Sequence, residues 1–527
     1  MKSRLSSSWK IRKPAIISQD GIVSSQSKVA SEVGAKILRE GGNAVDAAIA
    51  TSFALGAVEP WMSGIGGGGY MLIRKAGEAN AKVINFGMKS PSELRLTDYP
   101  LIDGLASDLF PWPSVKDNVN VMGAKAVAIP GQVAGMKLAY DNYATIPWKR
   151  LVTPAVDLAA GGVPVDWYCQ LILSGAARDL AKFPASHAAF LEKDGYSKSS
   201  GWTALGGASC DLTQLSKTLK VIADKGPSEF YTGDLAKLMV SDLQAAGGRH
   251  TLNDFKAYEA TIADASKFNY RDHLVFTTPE FTAGSTLERC LSLLENSWQA
   301  KGETPEASSF VAYENAIRQS NAERFESMGD TNAPEVRASC TTNFNIVDKD
   351  GMMVTVTQTL LSIFGSRLML PSSGVLMNNG VMWFDPEPNK PNSIGPSKHC
   401  LSNMCPTLLE RNDGARFSLG ASGGRKIMPA VAQLTSFILD YKMDLDSAIH
   451  SPRIDVSQEH ITIADDQFSA DIQTELQQKT KKITFAPRTI YPFNFGCPSI
   501  IEHKSGTNSA VTEVMSPWAD SITAGVS

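Results

Sequence analysis

Residues 340–359 read CTTNFNIVDKDGMMVTVTQT, a pattern that predicts a β-hairpin. Val and Thr alternate along the second arm, as expected for a strand with one apolar and one polar face. A three-residue loop ending at Gly351, in the left-handed conformation, would join the two arms. The register that this loop sets places Thr341 opposite Thr359. Two interpretations stay open at this point: a half-buried strand with threonines on its wet face, or a threonine nucleophile beside a helper hydroxyl.

The composition is that of a soluble globular protein. The chain has 527 residues, of which 43% are hydrophobic and 20% charged, with a formal net charge of -4. This length allows two or three domains or one large layered domain. The charge excludes a typical nucleic-acid-binding protein, and no segment has the pattern of a secretory signal or a membrane span.

The seven cysteines predict reduced thiols rather than a disulfide framework, because their number is odd and they are widely spread. We therefore expect a cytoplasmic protein. Cys400 and Cys405 lack the partners of a zinc site, and there is no HExxH motif. The sequence predicts no metal and no cofactor.

The predicted elements are helix-rich before residue 341 and strand-rich after it. Asn43 is a suitable cap for a helix that starts at Ala44, and the preceding helix has Val29, Val33 and Ile37 along one stripe. The expected elements are an arm (1–13), strands (16–23, 70–73, 415–419) and helices (28–39, 44–57, 135–142, 154–160, 212–223, 235–246, 308–327, 427–440).

Two glycine clusters each allow two interpretations. The segment 64–69 matches GxGxxG, but a helix precedes it and a strand follows it, which is the wrong context for a dinucleotide site. It is either a tight loop or a loop packed beneath an active site. Gly423 and Gly424 lie between a strand and a helix, where their N–H groups could hold an oxyanion. The alternative is a loop with unusual backbone angles.

Several motifs together resemble the γ-glutamyltranspeptidase family. The resemblance covers nearly the whole chain, from about residue 15 to residue 520, in the family's order and spacing. The segments that carry it are 40–48, 59–69, 341–365, 373–379, 396–406 and 420–425.

The resemblance implies a fold, a cleavage and a set of catalytic residues. The fold is α/β (α+β), a four-layer αββα sandwich of the N-terminal-nucleophile hydrolase type. Cleavage between Cys340 and Thr341 would give a helix-rich large subunit (1–340), the N-terminal half of the sandwich, and a small subunit (341–527). Thr341 would be the nucleophile, with its new α-amine as the base. Thr359 matches the family's second threonine, and Gly423 and Gly424 match its oxyanion donors.

The substrate-binding positions depart from the family. Gly87 replaces an arginine that holds the substrate carboxylate, and Leu361 replaces an asparagine. Gly380 and Trp383 replace the groups that hold the substrate amine. In the family's serine pair only Ser402 is kept, followed here by Asn403. We therefore expect γ-glutamyl specificity to be lost.

A cation elsewhere in the matched motifs would then hold the carboxylate of a smaller substrate. Arg367 or Arg425 is the candidate, since arginine binds carboxylates in a bidentate manner. The alternative for each is a surface or structural charge.

The predicted function is that of a self-processing threonine amidohydrolase that cleaves a small amide, with oxamate as the lead substrate. One alternative is a glutathione hydrolase or γ-glutamyltransferase, and cephalosporin-type acylation is a further option. Another is an unprocessed, non-catalytic relative, because Cys340 and Asn343 differ from the commoner cleavage site. The expected partners are the small-molecule amide and the two subunits of one precursor, with no nucleic acid and no membrane. A dimer of processed heterodimers is compatible with this prediction.

Overall fold

The computed structural model describes residues 11–105, 112–201, 207–279, 282–327, 340–458 and 460–525 of one uncleaved chain. Its strands are β1 (Ile16–Ser18), β2 (Ile22–Ser25), β3 (Gly68–Arg74), β4 (Lys82–Phe86), β5 (Leu101–Leu105), β6 (Pro113–Val115), β7 (Val163–Pro164), β8 (Ser209–Cys210), β9 (Thr261–Asp264), β10 (Ser266–Tyr270), β11 (His273–Thr277), β12 (Cys340–Val347), β13 (Met353–Leu361), β14 (Thr407–Glu410), β15 (Arg416–Ser422), β16 (Ile454–Gln458), β17 (Ile461–Asp465), β18 (Ile483–Ala486), β19 (Cys497–Lys504), β20 (Thr507–Thr512) and β21 (Asp520–Thr523).

The helices follow the same chain order. They are α1 (Lys28–Arg39), α2 (Ala44–Val58), α3 (Gln132–Tyr143), α4 (Trp148–Gly161), α5 (Trp167–Leu180), α6 (Pro184–Phe190), α7 (Thr213–Lys225), α8 (Ser228–Tyr231), α9 (Asp234–Ala245), α10 (Leu252–Lys256), α11 (Gly284–Ser297), α12 (Ala307–Ser327), α13 (Ile427–Leu439), α14 (Leu445–His450) and α15 (Ala470–Lys479).

Two seven-stranded antiparallel sheets form the centre of the molecule. The first sheet has the order β21-β2-β12-β13-β3-β4-β9, and the second has the order β1-β20-β19-β15-β14-β11-β10. Helices α1 to α3 pack on the first sheet, and α11 and α13 pack on the second, with α12 packed on both of these helices. Because β12 also packs on β15 and β19, the sheets face each other between the two helical layers. This arrangement confirms the predicted four-layer αββα sandwich.

Side chains along each strand alternate between the two faces of the sheet, and apolar or close-packed residues on both sides explain why each sheet buries both faces. Phe344 and Val356 pack with the alanine-rich α2, while Leu419 on the second sheet packs with α13. Helix α2 is buried along nearly its whole length. An ideal Cβ on Gly34 of α1 would lie 2.3 Å from Thr51 Oγ1, so the two helices approach closely.

One local prediction was wrong and two were met only in part. Residues 16–23 form two strands in different sheets, β1 and β2, because the chain turns at 19–21. In the predicted apolar stripe of α1, Ile37 is buried and Val33 packs against the core, but Val29 is 41% exposed. Small residues such as Ala30 and Gly34 complete the buried face of this helix. The predicted arm is outside the described residues up to residue 10, but Lys13 is anchored, with its ammonium group donating to the Ser516 and Ala519 carbonyls.

Among the described residues, none of the helices combines the length and apolar character needed to cross a bilayer. The same residues contain no cluster of three or more His, Cys, Asp or Glu side chains able to hold a metal ion.

Candidate active site

The hairpin of β12 and β13 has the predicted register over most of its length. Thr342 pairs with Gln358 and Val347 with Met353. The loop is closed by the Asp348 N–H, which donates to the Met352 carbonyl at 3.1 Å. Gly351 has a φ of 84°, which confirms the left-handed position predicted for it.

The register breaks at Thr341. Cys340 pairs with Leu361 while Thr342 pairs with Gln358, so Thr341 stands opposite two residues of β13, Thr359 and Leu360, and the predicted direct pairing with Thr359 does not form. The extra residue of this β-bulge is therefore in β13, and it disrupts the ladder locally, which leaves Thr341 without a ladder partner. Thr341 is only 1% exposed. The predicted scissile bond therefore lies in a buried irregularity of a central strand.

Thr359 belongs to this bulge and its hydroxyl is oriented by the backbone. Leu361 N–H donates to Thr359 Oγ1 at 2.8 Å, and Leu361 has a φ of 89°. An ideal Cβ on Gly67 would lie 2.1 Å from the Thr359 carbonyl oxygen. The first glycine cluster therefore packs directly against Thr359, a close backbone approach that agrees with both interpretations of this loop.

The segment after β13 has an unusual backbone. Phe364 and Arg367 have φ values of 61°, in the left-handed region that non-glycine residues rarely adopt. The Phe364 N–H donates to the Trp61 carbonyl at 2.8 Å, and Ser362 N–H donates to Asn379 Oδ1 at 3.0 Å. These contacts hold the strained segment, and strain of this kind is concentrated at functional sites.

The second glycine cluster follows β15 on the facing sheet. Gly423 has a φ of 118° and Gly424 a φ of 66°, so both positions favour glycine. Ser422, just before them, accepts a hydrogen bond from the Gln26 side-chain amide. The two strands that carry Thr341 and the glycine pair are packed on each other.

Ser402 and Asn403 are brought together with a residue that the sequence analysis missed. Arg324, in the last turn of α12, donates to the Ser402 carbonyl at 2.7 Å and to Asn403 Oδ1 at 3.5 Å. Its guanidinium also donates to Thr286 Oγ1 at 2.8 Å. Arg324 was not identifiable from sequence because these partners lie 38 to 79 residues away along the chain.

Arg324, Asn403 and Arg425 line one small cavity. Of the two predicted carboxylate ligands, Arg425 is thus beside the Ser402-Asn403 segment. Arg367 makes other contacts: its guanidinium donates to the Gly365 carbonyl at 2.8 Å, and its carbonyl accepts from Ser186 Oγ of α6.

The positions that depart from the family have little room for larger side chains. An ideal Cβ on Gly87 would lie 2.9 Å from the Tyr70 hydroxyl, and one on Gly380 would lie 2.8 Å from Ala128 Cβ. Trp383 is 1% exposed and packs in an apolar cluster. An arginine at 87 or an acid at 380 would require the neighbouring side chains to move.

Tyr70 occupies the space beside Gly87 as a neutral group. Burial raises the pKa of Tyr70 well above its usual value; nearby Cys400 adds to the rise, and the positive charge of Arg324 opposes it.

Comparisons with known proteins agree with this architecture. The model of the family described as gamma-glutamyltranspeptidase matches residues 30–340 and 334–522. The glutathione hydrolase proenzyme of Escherichia coli (strain K12) is 30% identical over 518 residues, which cover 88% of this chain and 86% of the relative. The glutathione hydrolase proenzyme of Bacillus subtilis (strain 168) is 28% identical over 553 residues, covering 94% and 90%.

A solved structure gives the same fold. The cephalosporin acylase from Bacillus halodurans superposes with a TM-score of 0.85 at 20% sequence identity, and 99% of each chain is covered. At this identity the likeness shows the fold alone. Together with the family match over most of its length, it establishes that the chain belongs to the γ-glutamyltranspeptidase family and is an N-terminal-nucleophile hydrolase that acts on amide bonds.

Proposed function

We propose that this chain is a self-processing amide hydrolase that cuts itself between Cys340 and Thr341 and then uses Thr341 as its nucleophile. The observation that carries the proposal is the bulge, which takes Thr341 out of the regular ladder beside Thr359. A purely structural hairpin would have no need of a buried irregularity at this position, since the register is regular from Thr342 onward.

Self-cleavage proceeds by an N-to-O acyl shift. Thr341 Oγ attacks the Cys340 carbonyl carbon, the C–N bond breaks, and the proton of the hydroxyl passes to the departing amine. Water then hydrolyses the ester, leaving a carboxylate on Cys340 and a free α-amine on Thr341. The Thr359 hydroxyl accepts from Leu361 N–H at 2.8 Å, which orients its oxygen. Because a hydroxyl can both donate and accept, it is the proposed hydrogen-bond partner of the Thr341 hydroxyl.

In turnover the new α-amine acts as the general base for the hydroxyl of the same residue. A free α-amine has a pKa of ~7.7–8.0, close to the value that suits a base at neutral pH. The acyl group is transferred to Thr341 Oγ, the amine product leaves, and water releases the acid. The N–H groups of Gly423 and Gly424 are the proposed oxyanion donors, and one such donor typically contributes ~2.7–4 kcal/mol to the transition state.

For the substrate, the names of the relatives support glutathione hydrolysis and give no support to oxamate. The family's contacts for a γ-glutamyl group are nevertheless absent at Gly87 and Gly380, where a larger side chain would have to displace its neighbours. We infer that the acyl group carries a carboxylate and that Arg425, beside the Ser402-Asn403 segment, binds it. The cavity that Arg425 shares with Arg324 and Asn403 is about the size of one water molecule, so its side chains must move to admit the carboxylate. Glutathione and γ-glutamyl amides are therefore the first substrates to test.

Intact mass and a denaturing gel test self-cleavage. The wild-type protein should give two fragments, the smaller beginning at Thr341, and Thr341→Ala should stay intact. Thr342→Val is the matched control, because Thr342 Oγ1 is buried and makes no hydrogen bond within the described residues. If the wild type remains a single full-length chain, or if Thr341→Ala is cut, the proposal fails and the non-catalytic alternative stands.

Turnover of γ-glutamyl anilide, glutathione and oxamate by the cleaved protein tests the substrate. Arg425→Ala should raise KM for the preferred carboxylate-bearing substrate at least tenfold and leave self-cleavage intact. An unchanged KM would remove Arg425 from the proposal, and ammonia release from oxamate alone would favour the small-amide alternative.

A further inference from the structure

The facing surfaces of the two sheets are joined by a hydrogen-bonded cluster centred on Asn343. This side chain is 1% exposed. Its Nδ2 donates to the Val356 carbonyl at 3.0 Å and to Thr357 Oγ1 at 3.2 Å, within the hairpin. Its Oδ1 accepts from Asn345 Nδ2 at 3.1 Å and from Ser499 Oγ at 3.0 Å. The amide therefore uses its full hydrogen-bonding capacity and links β12, β13 and β19.

The same side chain lies directly against β15, the strand that leads to the glycine pair. An ideal Cβ on Gly420 would lie 2.1 Å from Asn343 Nδ2. Any side chain at 420 would thus displace Asn343. Gly420 is three residues before Gly423, and Asn343 is two residues after Thr341, so one contact joins the strand of the proposed nucleophile to the strand of the proposed oxyanion donors.

We propose that Asn343 is a positioning residue that fixes Thr341 relative to the Gly423–Gly424 donors. This inference rests on the proposed function. A fully hydrogen-bonded amide has one geometry, whereas apolar contacts between sheets tolerate sliding. Precise placement matters here, because a displacement of about 1 Å can slow an enzymatic step by about 10²-fold. Because Gly420 has no side chain, the Asn343 side chain can occupy the space beside it. The hydrogen bond from Gln26 to Ser422 is a second contact that holds the same loop.

Self-cleavage of the purified full-length chain tests the proposal without any substrate. Asn343→Ala removes the amide, and Gly420→Ala pushes it aside. Gly161→Ala is the matched control, because a Cβ at Gly161 would have no heavy atom within 4 Å. The rate of cleavage is measured per folded molecule, with the folded fraction taken from thermal unfolding followed by circular dichroism.

We expect Asn343→Ala and Gly420→Ala to cleave at least tenfold more slowly than the wild type, and Gly161→Ala to cleave within twofold of it. Because Gly420→Ala acts through Asn343, the double variant should be no slower than Asn343→Ala alone. After cleavage, kcat should fall while KM stays within threefold. Folded Asn343→Ala that cleaves at the wild-type rate would overturn the proposal.

Two further results separate the possible failures. If Asn343→Ala does not fold, Gly420→Ala is the variant that tests the inference. Cleavage of Gly420→Ala at the wild-type rate would overturn it. Cleavage of Thr341→Ala would refute the proposed function itself, whereas an intact Thr341→Ala together with normal cleavage by Asn343→Ala would refute only the positioning role.

Discussion

The carboxyl group of Glu59, at the end of α2, lies in an environment that disfavours its ionised form. It is 1% exposed, and its Oε2 makes no hydrogen bond to any of the described residues. Burial raises the pKa of Glu59 from 4.5 to about 8. Between these two pH values the folded state binds more protons than the unfolded state, so stability falls as pH rises from 4.5 towards 8 and then levels off.

The variant Glu59→Gln should remove this pH dependence, because the amide has the same shape and no charge to bury. We expect the variant to match the wild type near pH 4.5 and to exceed it by several kcal/mol above pH 8, since each unit of pKa shift corresponds to about 1.4 kcal/mol. Urea unfolding at pH 5, 7 and 9 measures the difference. Parallel stability curves for the two proteins would show that the carboxyl is not desolvated.

The Thr359 hydroxyl gives a second prediction at the level of one residue. Thr359→Val keeps the shape but loses the oxygen that accepts from Leu361 N–H. We expect self-cleavage to slow by about 10²-fold, the lower end of the effect of a group that exchanges a proton in the transition state. Thr359→Ser, which retains the hydroxyl, should stay within about tenfold of the wild type. Cleavage of Thr359→Val at the wild-type rate would assign Thr359 to packing alone.

Among the elements, the N-terminus of α2 shows what the first signature motif does. The Asn43 side chain accepts from the Val45 and Asp46 N–H groups, and the Asp46 carboxylate accepts from Asn43 N–H in return. Asp46 also accepts from the Thr145 and Ile146 N–H groups. The motif 40–48 is therefore a helix cap that ties α2 to the loop before α4, and its role here is structural.

Asp46→Ala should therefore destabilise the protein by about 3 kcal/mol or more, because the N–H groups of Asn43, Thr145 and the buried Ile146 lose a charged acceptor. Chemical unfolding checks this value. Asp141→Ala is the control, since Asp141 is 46% exposed and pairs with Lys137 on the surface of α3, an interaction of at most about 1 kcal/mol. A loss of stability no larger than that of Asp141→Ala would contradict this role of Asp46 in tying α2 to the loop before α4.

Elements defined by local signals were predictable from the sequence. The Asn43 cap and the left-handed Gly351 fix the start of α2 and the register of the hairpin through neighbouring residues. The bulge at Thr341 and the strands β9 to β11 were not predicted, because they depend on pairing with distant strands. Arg324 was missed for the same reason. The resemblance supplied the roles proposed for Gly423 and Gly424, which local patterns left undecided.

At the scale of the whole molecule, the proposed cut after residue 340 would divide the chain but not the sandwich. In the first sheet, β2 lies between β21 and β12, and β13 pairs with β3. In the second sheet, the strands β14, β15, β19 and β20 are flanked by β1 on one side and β11 on the other. Segments 1–340 and 341–527 thus share both seven-stranded sheets, and neither segment forms one of them alone.

This interleaving predicts that the two segments fold only together. Expressed alone, 341–527 would expose the edges of β12 and β13 that normally pair with β2 and β3, and such open edges promote aggregation. Co-expressed from separate genes, 1–340 and 341–527 should elute as one species and unfold in a single transition. Because this design supplies the break genetically, it does not depend on self-cleavage. A soluble, folded 341–527 fragment would show that the sheets are separable and that the shared core contributes little to stability.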